Sequence, residues 1–139
     1  MSDKPFYLAG PMTNIPQYNF PAFEDAAKRL RAIGFSLIVP SETDSPAVQA
    51  AARASPDGSY DADGKVGGET WGDVLAKDVK RIADVVQGII LLPGWQQSRG
   101  ARLECFVGLL CNRSFALYDL GASGLIVPVG EHYIRSQIL

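Results

Sequence analysis

Apolar positions along the chain change period several times, and each change predicts an element. The run PFYLAG (Pro5 to Gly10) is short, apolar and ended by Gly-Pro, which predicts a first strand stopping at a loop. In FPAFEDAAKRLRAIG, Phe23, Ala26, Ala27, Leu30 and Ile33 recur at helical spacing; Pro21 suits the first turn and Gly34 the C-terminal stop. FSLIVP (Phe35 to Pro40) predicts a second strand, so the chain opens as a strand–helix–strand unit. TWGDVLAKDVKRIAD (Thr70 to Asp84) predicts the next helix, with Thr70 as its N-cap. VVQGIILL is nearly continuous in its apolarity, as a parallel strand covered on both faces would be. A helix from about Gly100 to Cys111 and a fourth strand in SFALYDL follow, and the tail GLIVPVGEHYIRSQIL predicts a short edge strand and a final turn. Alternating elements of this size imply an α/β fold, a three-layer α/β/α sandwich around a mainly parallel, Rossmann-like or flavodoxin-like sheet.

Between the second strand and the Thr70 helix, residues 41–70 are rich in Gly, Asp, Ser and Ala. Loops that long inside a compact domain are uncommon, which leaves a lid or a variable surface loop, with a short helix possible over PAVQAAARA.

Two carboxylates stand in apolar company. At about 100° per residue, Val74, Leu75, Val79 and Ile82 form one arc, and Asp78 falls inside it. A carboxylate on a buried stripe is costly unless it is paired, hydrogen-bonded or lining a cavity. A core-edge aspartate and a site aspartate both satisfy that condition. In the later helix, Leu103, Phe106, Val107 and Leu110 share a face, and Glu104 lies at its margin beside Gly100, Gly108 and Cys111. These small neighbours predict open space, and a first-turn position would favour the ionised carboxylate that a nucleophile requires. A first-turn glutamate favoured only by the helix dipole is the plainer alternative. In open α/β sheets ligands bind beyond the carboxyl ends of the strands. Both YLAGPMTN and LLPGWQQSRGA follow predicted strands, and free amides around Ser98 to Gly100 would suit a phosphate.

Composition narrows the options. The chain has 139 residues, one domain's length, with 47% hydrophobic and 20% charged residues and a net charge of −2. No basic block suggests a nucleic-acid polymer as partner, and no apolar run approaches the ~20 residues that span a bilayer. The N-terminus lacks a charged leader followed by a long apolar region, so a cytoplasmic location is expected. Cys105 and Cys111, six positions apart in one predicted helix, are expected to be reduced packing residues. His132 is the single histidine, so neither a metal site nor a Ser–His–Asp device is expected. Neither loop matches the Walker or G-x-G-x-x-G pattern, and no cofactor is implied.

Taken in order and spacing, YLAGPM, DVKRIADVV and LPGWQQSRGARLE resemble the nucleoside 2-deoxyribosyltransferase-like superfamily. The likeness runs from roughly Phe6 to Tyr118 and is closest to a phage and bacterial branch left as a domain of unknown function. The superfamily contains deoxyribosyltransferases and 5′-monophosphate N-glycosidases, which work through a glutamate that attacks C1′. By motif, the resemblance implies Glu104 as that nucleophile, Asp78 as the group protonating the departing base, and Tyr7 near the nucleophile. It implies that Gly10, Pro11, Met12, Thr13 and Asn14 wrap sugar and phosphate. Six residues before the nucleophile the transferases tend to carry an aspartate and the monophosphate hydrolases a serine; here it is Ser98, with Arg99 and Gly100 beside it. A small nucleoside or nucleotide, preferably a 5′-monophosphate, is therefore the expected substrate. Departures are Arg102 in Gly100-Ala101-Arg102-Leu103-Glu104 and Pro11, which removes one backbone donor.

Hydrolysis, base transfer and a non-catalytic nucleotide-binding module all remain open from sequence. The resemblance also implies a homo-oligomer, a dimer or larger, with shared active sites. The tail residues Tyr133, Ile134, Ile138 and Leu139 are expected to be the apolar groups such an assembly covers. Trp71 and Trp95 are candidates for base stacking or for ordinary packing.

Overall fold

The computed structural model describes residues 3–139. In chain order the elements are β1 (Phe6–Ala9), α1 (Phe20–Ala32), β2 (Leu37–Ile38), α2 (Pro40–Thr43), α3 (Pro46–Ala54), β3 (Lys65–Val66), β4 (Glu69–Thr70), α4 (Trp71–Asp84), β5 (Gly88–Leu91), α5 (Arg99–Leu110), β6 (Ser114–Tyr118), β7 (Ile126–Val129) and α6 (Glu131–Ile138). The central sheet runs β2-β1-β5-β6-β7. All its pairs are parallel except β6 with β7, where the tail returns antiparallel along the edge.

Alternation along the strands divides the core into two layers. Leu8, Ile90 and Ala116 pack with Phe23, Ala26, Ala27 and Leu30 of α1 on one face. Tyr7, Ala9, Ile89, Leu91 and Phe115 pack with Ile82, Ala101, Cys105 and Ile134 of α4, α5 and α6 on the other. The fold is therefore the three-layer α/β/α sandwich that the alternating pattern implies. Helix boundaries follow their signals closely. Thr70 caps α4 by accepting from the Asp73 amide while Asp73 accepts from the Thr70 amide, a reciprocal capping box. At the end of α1, Gly34 takes φ 104°, its amide bonds Arg31 and that of Phe35 bonds Leu30, a Schellman closure.

Residues 41–70 are an ordered cap with structure of its own. Ser45 caps α3 by accepting from the Val48 amide, and Pro46 opens the helix. Val48 and Ala52, one turn apart, bury themselves against Tyr18, Phe20 and Val66, and the β3–β4 hairpin closes the segment. The cap is tied to the loop after β1 by backbone bonds from Asn14 to Gly58 and from Gln17 to Ser55, both 2.9 Å.

Three other expectations change. The tail forms a two-turn helix rather than a single turn, and its Ile134 is wholly buried in the α4–α6 layer, with Tyr133 and Ile138 packed against it; Leu139 alone stays open, 94% exposed. The bulky face of α5 points outward: Leu103, Phe106 and Leu110 are exposed, whereas Ala101, Glu104, Cys105 and Gly108 are buried. The cause is close approach to the sheet. A Cβ on Gly108 would lie 2.8 Å from Ile89 Cδ1 and 3.1 Å from Phe115 Cζ, so at that point of α5 no side chain fits between helix and sheet.

Candidate active site

In this sheet β1 continues to β2 on one side and pairs β5 on the other, which makes the β1–β5 junction the point where strand order reverses. Open α/β sheets leave a crevice there, outside the carboxyl ends of the strands. A cavity of about 480 Å³ occupies that place, walled by the loop after β1, the start of α5, the inner side of α4 and the 41–70 cap.

Glu104 lines this cavity from the second turn of α5 and is only 6% exposed. Tyr7, mid-strand on β1, donates its hydroxyl to Glu104 Oε2 at 2.8 Å. Asp78, 5% exposed, reaches the same cavity from α4. Arg81, one turn further along α4, donates to Asp78 Oδ1 at 3.0 Å. The three residues singled out as catalytic in the sequence therefore converge, from three different elements.

Burial and mutual charge set the protonation of this group. Burial, then the charge of Asp78, pushes the Glu104 carboxyl well above the usual range, and the bond from Tyr7 opposes this only in part. Burial likewise raises Asp78, to about 6, against the pull of Arg81. The Tyr7 phenol is raised by burial and by Glu104, so it stays a neutral donor. The expectation that a helix N-terminus ionises Glu104 is corrected here. Glu104 lies past the first turn, where the dipole effect fades, and desolvation dominates. Nor does Gly108 supply open space, since Ile89 and Phe115 fill it.

Every residue expected to touch substrate lines the cavity: Gly10, Pro11, Met12, Thr13 and Asn14 on one side, Ser98, Arg99 and Gly100 on the other. Their roles differ in detail. A Cβ on Gly10 would meet Leu92 Cβ at 2.8 Å, so that glycine serves packing rather than ligand approach, whereas Gly100 faces open space. Ser98 is the N-cap of α5, and its hydroxyl oxygen accepts from the Ala101 amide at 3.1 Å. The first-turn amides of Arg99 and Gly100 have no partner within the helix and point outward from its end. Arg99 stacks its guanidinium 5.5 Å from the centre of the Trp71 ring, across the gap between the starts of α4 and α5. Trp95 is a core residue, 2% exposed, and takes no part in the site.

Sequence reasoning missed the groups that the cap brings in: Asp44, Val48, Ala52, Tyr60 and Val66, together with Tyr18 from the loop before α1. Asp44 was discoverable, because SETD follows the end of β2 at the same sheet edge as the other two loops. Tyr18 was not. It sits in a left-handed turn, Gln17–Asn19 with φ between 50° and 61°, a conformation that nothing in the local sequence announces.

Residues 4–113 match the family described as "Domain of unknown function (DUF4406)". The chain belongs to that family. The matched span runs from just before β1 to just past α5, so the family's shared region carries the whole cavity lining, from Gly10 to Glu104, together with Tyr7. No curated protein and no solved structure matches the chain. Among the described residues no helix is long and apolar enough to cross a membrane.

Proposed function

We propose that the chain cleaves the N-glycosidic bond of a nucleoside or deoxynucleoside 5′-monophosphate through a covalent glycosyl-Glu104 intermediate. The observation that carries this is the buried triplet: Glu104 held by the Tyr7 hydroxyl, beside Asp78, in a cavity ended by the N-terminus of α5. A Glu104 oxygen attacks C1′ as the C1′–N bond breaks, and Asp78 passes its proton to the departing base. Water then attacks C1′, Asp78 takes back a proton, and the Glu104 carboxylate is released. Paired carboxyls in these two roles are the division of labour that an oxocarbenium-like transition state calls for. Arg81 holds Asp78 Oδ1 and favours its charged form, so the proton the two carboxyls share passes to Asp78 only as the substrate draws negative charge onto Glu104. Tyr7 favours keeping the negative charge on Glu104. The unpartnered amides of Arg99 and Gly100, with the Arg99 guanidinium, suit the 5′-phosphate.

A second reading is favoured by the acid content of the cavity. Among the described residues Asp44, Asp78 and Glu104 outnumber Arg99, the one cationic side chain lining the cavity, which fits a substrate with a free 5′-hydroxyl and transfer of the sugar to a second base. The test is chromatography of free base released from nucleosides and 5′-monophosphates, wild type beside Glu104→Ala. Release from monophosphates alone, reduced by about 10³-fold or more in the variant, is the expected result. Release only when an acceptor base is present would make the chain a transferase. Binding without release from any substrate would leave a nucleotide-binding module. We further propose that two or more copies associate through the exposed apolar face of α5, at Leu103, Phe106 and Leu110.

A further inference from the structure

One buried acid in the cavity has no part in the chemistry above. Asp44 is 6% exposed and faces the cavity from the end of α2. Its backbone carbonyl accepts from Gln49 Nε2 at 2.7 Å, but among the described residues no donor bonds its carboxyl group. A buried carboxyl without a partner is costly unless a ligand supplies donors.

Its place says which part of a ligand would do so. Arg81 spans from Asp78 to the Thr43 carbonyl, at 3.0 and 3.3 Å, so residue 44 lies on the Asp78 side of the cavity. The phosphate-suited end, at Ser98 to Gly100, belongs to α5. Beside Asp44 the wall is apolar and aromatic: Val48, Ala52, Val66 and the Tyr18–Tyr60 pair, whose rings meet edge-on at 5.8 Å. Flat walls with an acid that the chemistry leaves free, beside Asp78, suit a heterocyclic base with its polar edge turned toward that acid.

We infer that Asp44 reads the base, and that the preferred base is one presenting two adjacent N–H donors, the 2-amino-6-oxopurine edge of guanine. That edge offers N1–H and an N2 amino group side by side, matching the two oxygens of one carboxylate. Burial raises the free Asp44 carboxyl to about 7, and two N–H donors on its oxygens draw it back to the ionised form. Hypoxanthine offers one of the two donors. Adenine and cytosine alternate donor and acceptor, and thymine flanks its N–H with carbonyls that repel a carboxylate. The inference rests on the proposed glycosidase site, whose base pocket it specifies.

The experiment compares guanine, hypoxanthine, adenine, cytosine and thymine 5′-monophosphates as substrates of the wild type, Asp44→Asn and Asp44→Glu. Calorimetric binding of the same nucleotides to Glu104→Gln is run in parallel. Guanine substrates are expected to lead in kcat/KM and in affinity by about 10- to 100-fold, with hypoxanthine between. Asp44→Asn loses that lead, so that the ratio of guanine to the other bases falls toward one in both kcat/KM and affinity, and Asp44→Glu keeps part of it. Equal use of all bases by the wild type, or a guanine preference that survives Asp44→Asn in a variant with an unchanged circular dichroism spectrum, would overturn the assignment. If no substrate releases base, the glycosidase reading fails by itself, and the calorimetric ranking still decides the role of Asp44.

Discussion

Helices α4 and α5 each carry one carboxylate into the same cavity, yet their sequences disclose this to very different degrees. In α4 the inward face holds Asp78 and Ile82, the outward face holds Lys77 and Lys80, and a capping box fixes the start. Polarity and orientation agree, so an acid on the inner stripe stands out. In α5 they disagree: Leu103, Phe106 and Leu110 face outward, Val107 and Leu109 are half-buried, and the fully buried positions are Ala101, Glu104, Cys105 and Gly108. Helix α5 lies between α4 and α6 and presses against β5 and β6, where steric room, not hydrophobicity, selects the inner residues. A hydrophobic stripe tells which face is buried only when there is space to bury it.

Breaking the chemistry of the pair gives the largest effect. Asp78→Asn removes the proposed acid and should lower kcat by about 10²- to 10⁴-fold. It also removes the second cause of the raised Glu104 pKa. Glu104 must be unprotonated to attack, so the low-pH limb of the rate profile should move to lower pH in this variant. A limb that stays put would mean that Asp78 does not act on Glu104. An intermediate effect is expected from filling the narrow side of α5. Gly108→Val forces methyl groups against Ile89 and Phe115 and should cost about 1–3 kcal/mol in denaturant unfolding; a neutral result would show that α5 has room to retreat. The smallest change in fold stability should come from the open side. Leu110→Lys, at a position 72% exposed, should leave the monomer's stability within about 0.5 kcal/mol. The same change should shift sedimentation toward smaller species, and an unaltered oligomer distribution would remove α5 as the contact face.

The alternating elements, both cap-defined helices and the placing of Asp78 on an inner stripe were legible because each rests on local signals: strand-length apolar runs, Thr70 as a cap, helical spacing. The pairing of Tyr7 with Glu104 was implied by the resemblance alone, and the order of the strands was not legible. The 41–70 segment reads as a loop because Gly67 and Gly68, the hairpin glycines, share it with an Ala-rich helix whose only apolar anchors are Val48 and Ala52. Its order comes from contacts with Tyr18 and Phe20, distant in sequence. The orientation of α5 and the burial of Ile134 are likewise tertiary facts, decided by how closely each helix packs on the sheet.

Tyr7 sits in the middle of β1, in register with Ile38 on one side and Ile89 on the other. The backbone that carries its hydroxyl is therefore held on both sides by sheet pairing rather than by a loop. The link between Tyr7 and Glu104 should then persist on heating until the sheet itself melts. The cavity wall contributed by the 41–70 cap rests instead on the small cluster with Tyr18 and Phe20 and should loosen sooner. Heat would erase substrate discrimination first, and bond cleavage only at the global transition.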